Sequence, residues 1–449
     1  MRMKKFWVIL IALGLTISFS ATAMALDVKF SGEFYAAGMY LDKTSLNKDG
    51  FTKSGKPPVY VHPGISTAFY YQRLRVKTDF VVTPGLTLIT RFDAMERAWG
   101  ASRSDAGTTL AVDSAGTAAE NENIAFDWAY VDYKSPIGVF NVGYMNYGST
   151  GTIFGNNSTS QARIKYSLAL GPVTINPAIS KVRESSLTAK NAATTTDRDN
   201  DVYHLEGVYR WKSGRAGLNV NYYRSAANRV ATTYYQTNYF LVTPYVMAKI
   251  GPVAVQAEIN YANGKARKYE DNITLDEDVK MEQWSGWVDA TADFKMAYVG
   301  ATVAYVSGDD PGTTDKQEGG SLSGGRDWNP CLIMFNYYDR AQWVGNLNGY
   351  DNSSDNGQMS NAWFFQGRVG VRPVEKLDIM ASVSYAMADK KPWATAGDPT
   401  SVYVHDSYGW EVDLTATYKI TSNLSYMLGV GYFFTGDYYK GKLKSDPAT

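Results

Sequence analysis

The sequence predicts an all-β fold: a transmembrane, antiparallel, up-and-down β-barrel behind an N-terminal signal peptide. Three observations lead there. The chain opens with an export leader, its body alternates apolar and polar residues with period two, and its connections sort into tight turns and long polar loops.

The leader has a positive head (Arg2, Lys4, Lys5), an apolar run over residues 6–19 and a small-x-small site at Ala23-Met24-Ala25. Those are the parts of a secretory signal peptide. Residues 1–25 are therefore assigned to the signal and 26–449 to the barrel. Beyond the leader no apolar stretch approaches the roughly 18–20 residues that a spanning helix needs, which excludes a helical membrane protein. The chain carries 44 basic and 44 acidic residues, three of the basic ones in the leader. A near-neutral balance gives no reason to expect a nucleic-acid partner. The lone cysteine, Cys331, permits no internal disulfide and receives no catalytic role.

The alternation is clearest near the end. Leu424, Tyr426, Leu428, Val430, Tyr432 and Phe434 share one parity, with Ser425, Met427, Gly429, Gly431 and Phe433 between them. In the preceding segment Trp410, Val412, Leu414, Ala416, Tyr418 and Ile420 alternate with Glu411, Asp413, Thr415, Thr417 and Lys419. Aromatic residues at both ends of the apolar face match the two interfacial girdles of a membrane barrel. The segment 124–133 shows no clear choice of face.

Tight turns are expected at Thr83-Pro84-Gly85, Ser135-Pro136-Ile137-Gly138, Gly171-Pro172, Lys212-Ser213-Gly214, Gly251-Pro252, 293–295, 372–375 and 421–423. Proline presets φ and glycine allows φ > 0. Between them lie polar stretches at 42–64, 98–121, 148–160, 183–200, 263–280, 307–360 and 387–406. An outer-membrane barrel has this asymmetry, with short periplasmic turns and long outer loops. The segments number about 17, from about Val28 to about Thr435. Bacterial single-chain barrels close with an even number. The tail after Tyr438 lacks the 9–11 alternating residues of a crossing strand. An eighteenth, closing strand is therefore expected to be missing, leaving an unpaired first or last strand or a gap between them. The competing reading is that one strand has been split or overlooked.

Opposite the apolar faces lie candidate pore-lining residues. Arg73, Arg75, Lys77 and Asp79 fall on one segment, Arg91 and Asp93 on the next, then Arg163 and Lys165, and Arg210 and Lys212. Farther along come Glu258, Asp289, Arg368, Glu411 and Asp413. Basic groups gather on one wall and acids on the other, an arrangement that sets a transverse field in a wet lumen. The same ions could equally pair with neighbouring strands and stiffen the wall. The loop 148–160 has the glycine and asparagine content to bend inward. In the longest loop, 307–360, Asp309, Asp310 and Asp315 offer oxygen ligands that could hold Ca²⁺, although a capped turn fits their spacing better. No other cofactor is expected. The apolar run Cys331-Leu332-Ile333-Met334-Phe335 in that loop should pack into the barrel mouth or against another subunit rather than lie in water.

Enzymatic readings find little support. The three histidines, His62, His204 and His405, make no nucleophile pair or metal cluster in sequence, and no HExxH, GxSxG or P-loop is present. The mature chain resembles the outer-membrane porins of sulfate-reducing and related deltaproteobacteria. The likeness is carried by Val28-Lys29-Phe30-Ser31-Gly32, Tyr71-Gln72-Arg73-Leu74-Arg75, Gly308-Asp309-Asp310-Pro311 and Asp327-Trp328-Asn329-Pro330. The last two also resemble the alginate-export barrels, which have 18 strands and an arginine-rich lumen with which Arg73, Arg75, Arg91, Arg163 and Arg368 are compatible. The resemblance implies an outer-membrane homotrimer in a Gram-negative cell, surrounded by lipid and lipopolysaccharide. The expected function is passive diffusion of small polar solutes or ions. The alternatives are a substrate-selective or polysaccharide-export channel, and a loop-plugged structural or adhesive barrel.

Overall fold

The computed structural model describes residues 27–43, 46, 66–100, 124–185, 197–229, 233–270, 277–338, 343, 357–393, 398–440 and 444. The leader expected at 1–25 and His62 lie outside the described residues. The strands are β1 (Asp27–Leu41), β2 (Thr67–Thr83), β3 (Leu86–Ala98), β4 (Ile124–Ser135), β5 (Gly138–Asn146) and β6 (Ser160–Leu170). Then follow β7 (Val173–Arg183), β8 (Asn200–Trp211), β9 (Gly214–Ser225), β10 (Tyr235–Ile250), β11 (Val253–Tyr269) and β12 (Val279–Asp293). The last are β13 (Ala297–Val306), β14 (Lys316–Gln317), β15 (Ala362–Val374), β16 (Leu377–Ala388), β17 (Ser407–Lys419) and β18 (Ser425–Thr435).

All eighteen belong to one sheet. Apart from the two-residue β14, which lies parallel to β12, each strand pairs antiparallel with its neighbours along the chain. The seventeen long strands agree with the alternation in the sequence. Seven of the eight tight turns fall between paired strands where expected, and the one expected at 372–375 lies at 375–376 because β15 runs on to Val374. Contacts across the interior show that the sheet is rolled: Phe154 beyond β5 stacks on Trp287 of β12, and Trp343 of the long loop meets Tyr71 of β2. The barrel is not closed. Among the described residues β1 pairs only with β2, and β18 only with β17. Directions alternate through an odd number of long strands, so β1 and β18 run the same way.

The outward faces are apolar and exposed, as at Phe30 (74%) and Val430 (65%). Aromatic residues gather at the loop end (Tyr40, Tyr203, Trp284, Tyr432) and at the turn end (Tyr133, Tyr209, Tyr418, Tyr426). Among the described residues no helix is long and apolar enough to cross a membrane. The buried apolar cluster lies inside the barrel. It includes Phe154, Trp287, Trp328, Met334, Phe335 and Phe364.

Two departures from the sequence reading have local causes. β11 runs on to Tyr269, so the loop expected at 263–280 is only 270–278. Buried Ala262 and Ala266 pack with Met281 and Leu322, which rewards continued pairing. The unclear face of 124–133 comes from a register shift between Arg91 and Phe92, opposite Trp128 and Phe126. Asp127 is the extra residue of a bulge. Outward positions are Ile124 and Phe126 before it and Ala129 and Tyr133 after it, so period two breaks in mid-strand.

Gly143 in β5 has φ of +139° and lies opposite Tyr130. A Cβ there would sit 2.4 Å from the Ala129 carbonyl oxygen and 2.7 Å from the Tyr130 Cα. Gly143→Val is expected to lower stability by roughly 2–4 kcal/mol through strain and overpacking. The measurement is the urea midpoint of protein refolded in detergent micelles.

Candidate functional site

The interior is divided by two loops that cross it. The first, 147–159, leaves β5 and reaches the far wall. Glu258 on β11 receives it: the Thr152 backbone N–H donates to Oε2 at 3.1 Å and the Thr152 hydroxyl at 2.6 Å. Asn260 Nδ2 donates to the other Glu258 oxygen at 3.0 Å. Arg215 Nη2 of β9 donates to the Gly151 carbonyl at 3.1 Å. Phe154 is fully buried between Trp287 and Trp328. The inward bend allowed by the glycines and asparagines of 148–160 is thus present.

The second loop, 307–361, carries the apolar run inward as well. Glu411 of β17 accepts the backbone N–H groups of Ile333 and Met334, each at 2.6 Å. Asp413 accepts Leu332 N–H at 3.4 Å. Asn336 Nδ2 closes the bend on the Cys331 carbonyl at 2.8 Å. Leu332 then lies over Gly429 and Gly431 of β18, where an added Cβ would come within 3.1 Å of it. Gln283 of β12 holds the earlier part of this loop. Its oxygen accepts from Ser321 and Leu322 N–H, and its nitrogen donates to the Gly319 carbonyl.

The two loops also join each other. Asp327 N–H donates to the Asn156 carbonyl at 3.0 Å, and Arg326 N–H to Asn157 Oδ1 at 3.0 Å. The Ser158 hydroxyl donates to Asp327 at 2.7 Å. Buried inward positions on β11–β17 include Glu258, Asn260, Ser285, Thr302, Ser384 and Glu411. On β2–β7, inward Arg75, Asp127, Arg163 and Lys165 keep partial exposure.

The predicted lining residues separate into three groups. Many pair locally. Arg73 approaches Glu33 and Glu96, and Lys77 meets Asp79 at 2.8 Å. Arg75 makes a two-pronged contact with Asp93, both bonds 2.6 Å. Arg91 pairs with Asp127 at 3.0 Å and stacks over Trp128 at 3.6 Å. Arg368 meets Asp289 at 2.7 Å. A second group, Glu258, Glu411 and Asp413, holds the crossing loops. The third group stands apart: among the described residues, neither Arg163 nor Lys165 has an ion-pair partner. Arg210 is exposed at the turn end, bonded to Thr174, and Lys212 lies in the β8–β9 turn.

Asp309, Asp310 and Asp315 are not gathered as ligands. Asp309 caps Glu318 and Gly319 N–H, and Asp310 caps Gly312 N–H. Among the described residues the group with metal-ligand spacing is Cys331, Glu411 and Asp413, where the carboxylates already receive the loop. His204 is buried between Ser180 and Asn221. Residues that the sequence reading passed over are Asp127, Glu206, Arg215, Asn219 and Gln283. Strand parity would have placed Glu206 beside His204 on the inward face, and Arg215 with Asn219. The bulge hid Asp127.

The clamp on 331–334 has a direct readout. Cys331 is buried, its Sγ 3.2 Å from the Ser384 hydroxyl. Glu411→Ala removes two acceptors and leaves the Ile333 and Met334 N–H groups unpaired, at a cost of roughly 1–3 kcal/mol each. Cys331 is expected to resist maleimide in the folded protein and to react at least about tenfold faster in Glu411→Ala, through local opening. Mass spectrometry of the labelled protein measures both rates.

No protein-family model matches the sequence, and comparison with curated proteins finds no match. Among solved structures the chain is similar to the outer membrane channel DcaP of Acinetobacter baumannii. Identity is 14%, coverage 91% of this chain and 97% of that one, and the TM-score 0.41. It is similar to OpdK of Pseudomonas aeruginosa with vanillate at 11% identity, covering 91% and 93%, with a TM-score of 0.48. It is also similar to an anion-selective porin from Comamonas acidovorans at 11% identity, covering 91% and 100%, with a TM-score of 0.43.

Proposed function

We propose that the chain forms a water-filled channel in a Gram-negative outer membrane, through which small hydrophilic solutes and ions diffuse. The carrying observation is the asymmetry of the interior. Crossing loops cover the acidic wall, while Arg75, Lys77, Arg91, Asp127, Arg163 and Lys165 on the inward face of β2–β6 keep partial exposure beside buried Asp93 and Arg97. An apolar exterior with aromatic ends supports a lipid setting, and sorted turns and loops support the outer membrane. The leader supports export. A homotrimer rests on the resemblance alone.

Polysaccharide export is the weaker reading. A polyanion needs an uncompensated arginine track, and Arg73, Arg75, Arg91 and Arg368 each face a carboxylate. Closure belongs to the same proposal. An open strand edge in hydrocarbon leaves backbone groups unsatisfied at several kcal/mol each. One further strand, antiparallel to both β1 and β18, completes the wall.

Planar-bilayer recording tests the channel. Discrete, persistent conductance steps are expected from purified protein, and the absence of steps overturns the reading in favour of a plugged barrel. Glu258→Ala releases Thr152 and is expected to raise the step size and the open-channel noise. An unchanged step would show that the 147–159 loop does not limit the passage.

A further inference from the structure

Glu411 and Asp413 stand two positions apart on the inward face of β17, with 0% and 3% of their surface exposed. Among the described residues neither carboxylate has an ion-pair partner. Buried charges are normally paired or bound to a metal ion, because desolvating an isolated one is costly. Backbone donors offset part of that cost at Glu411, where Ile333 and Met334 N–H take one oxygen each. Asp413 is served less well. Its Oδ2 accepts only at 3.4 Å, from Leu332 N–H and the Ser382 hydroxyl, and its buried Oδ1 accepts no hydrogen bond. Cys331, itself buried, lies at the same place, and one donor atom from each of the three residues falls within 4.8 Å of the others. A Cβ at Gly431 of β18 would come 2.6 Å from Asp413 Oδ1 and 3.5 Å from Glu411 Oε1. Glycine there leaves room beside both oxygens, as a strand glycine does where another group approaches closely.

We propose that Cys331, Glu411 and Asp413 bind a divalent transition-metal ion of the zinc class. Holding the loop uses both Glu411 oxygens and Asp413 Oδ2, which leaves Asp413 Oδ1 without a task there. A metal ion gives it one and neutralises the two buried carboxylates together. The thiolate selects against Ca²⁺ and Mg²⁺, which take oxygen donors. The loop N–H groups become the outer hydrogen bonds that orient carboxylate ligands. The Ser384 hydroxyl, 3.2 Å from Cys331 Sγ, donates to the sulfur once the thiol proton has left to solvent. An ion held at about 2.0–2.3 Å from each donor draws the three together by about 1 Å. It ties Cys331 of the second crossing loop to β17. The site goes beyond the channel reading and does not depend on it.

Co²⁺ is the probe, because it accepts the geometry of zinc and absorbs in the near ultraviolet when a thiolate binds it. The untagged chain is stripped of metal with a chelator, refolded in detergent micelles with Co²⁺ and desalted. One retained cobalt per chain and a thiolate-to-cobalt absorption band are expected. Cys331 is the only cysteine, so the band has a single source. Cys331→Ser is expected to abolish the band. Asp413→Asn, which keeps the shape and loses the charge, is expected to weaken cobalt retention at least about tenfold. Unchanged retention and band in folded Asp413→Asn would overturn the site. The unmutated protein also decides by itself, whether or not the variants fold. Folded protein that retains cobalt without the band, or retains none, overturns the proposal, and the second of these results assigns the carboxylate pair to a shared proton.

Discussion

Backbone N–H groups donated to wall carboxylates determine the shape of this interior. A loop cannot cross a barrel on apolar contact alone, because its own peptide groups must be satisfied on the way. Glu258 and Glu411 meet that demand at the two points where the loops touch the β11–β17 wall. Asn260 and the Thr152 hydroxyl complete the first junction, and Asn336 folds the second loop back on itself. Phe154, Met334 and Phe335 can then enter the lumen and bury apolar surface against Trp287, Trp328 and Phe364.

The two walls consequently differ in function. Acids of the β11–β17 wall act on the loops. Cations of the β2–β4 wall mainly act on nearby carboxylates, Arg75 with Asp93 and Arg91 with Asp127. Facing rows of opposite charge, as the sequence suggested, are thus largely compensated locally. Arg163 and Lys165 remain the uncompensated lumenal pair beside the first loop, and the Arg163 guanidinium and Trp128 indole there each carry a buried donor without a partner.

Much of this was legible in the sequence. Alternation located seventeen long strands because a wall wet on one face and apolar on the other enforces period two. Pro and Gly located the tight turns because φ is constrained there. The parity rule also found Glu411 and Asp413 as inward residues. It could not find their task, since their partners are backbone groups of residues 332–334, about eighty positions earlier, with no side-chain signature. The inward fate of the apolar run was legible from its hydrophobicity alone. Asp127 escaped because a bulge shifts parity within β4, and the extension of β11 escaped because Ala262 and Ala266 pack beneath a loop whose path depends on Gln283.

The central claim is that loops seal the β11–β17 side of the lumen and leave passage along β2–β6. Thiol accessibility during single-channel recording tests it most directly. In a Cys331→Ser background, single cysteines replace Asn141 on β5 and Ser285 on β12, and a charged methanethiosulfonate is added to the open channel. Stepwise block at position 141 with no effect at 285 is the expected result. Block at 285 as fast as at 141 would contradict the account, because that wall would then be open to the stream of ions.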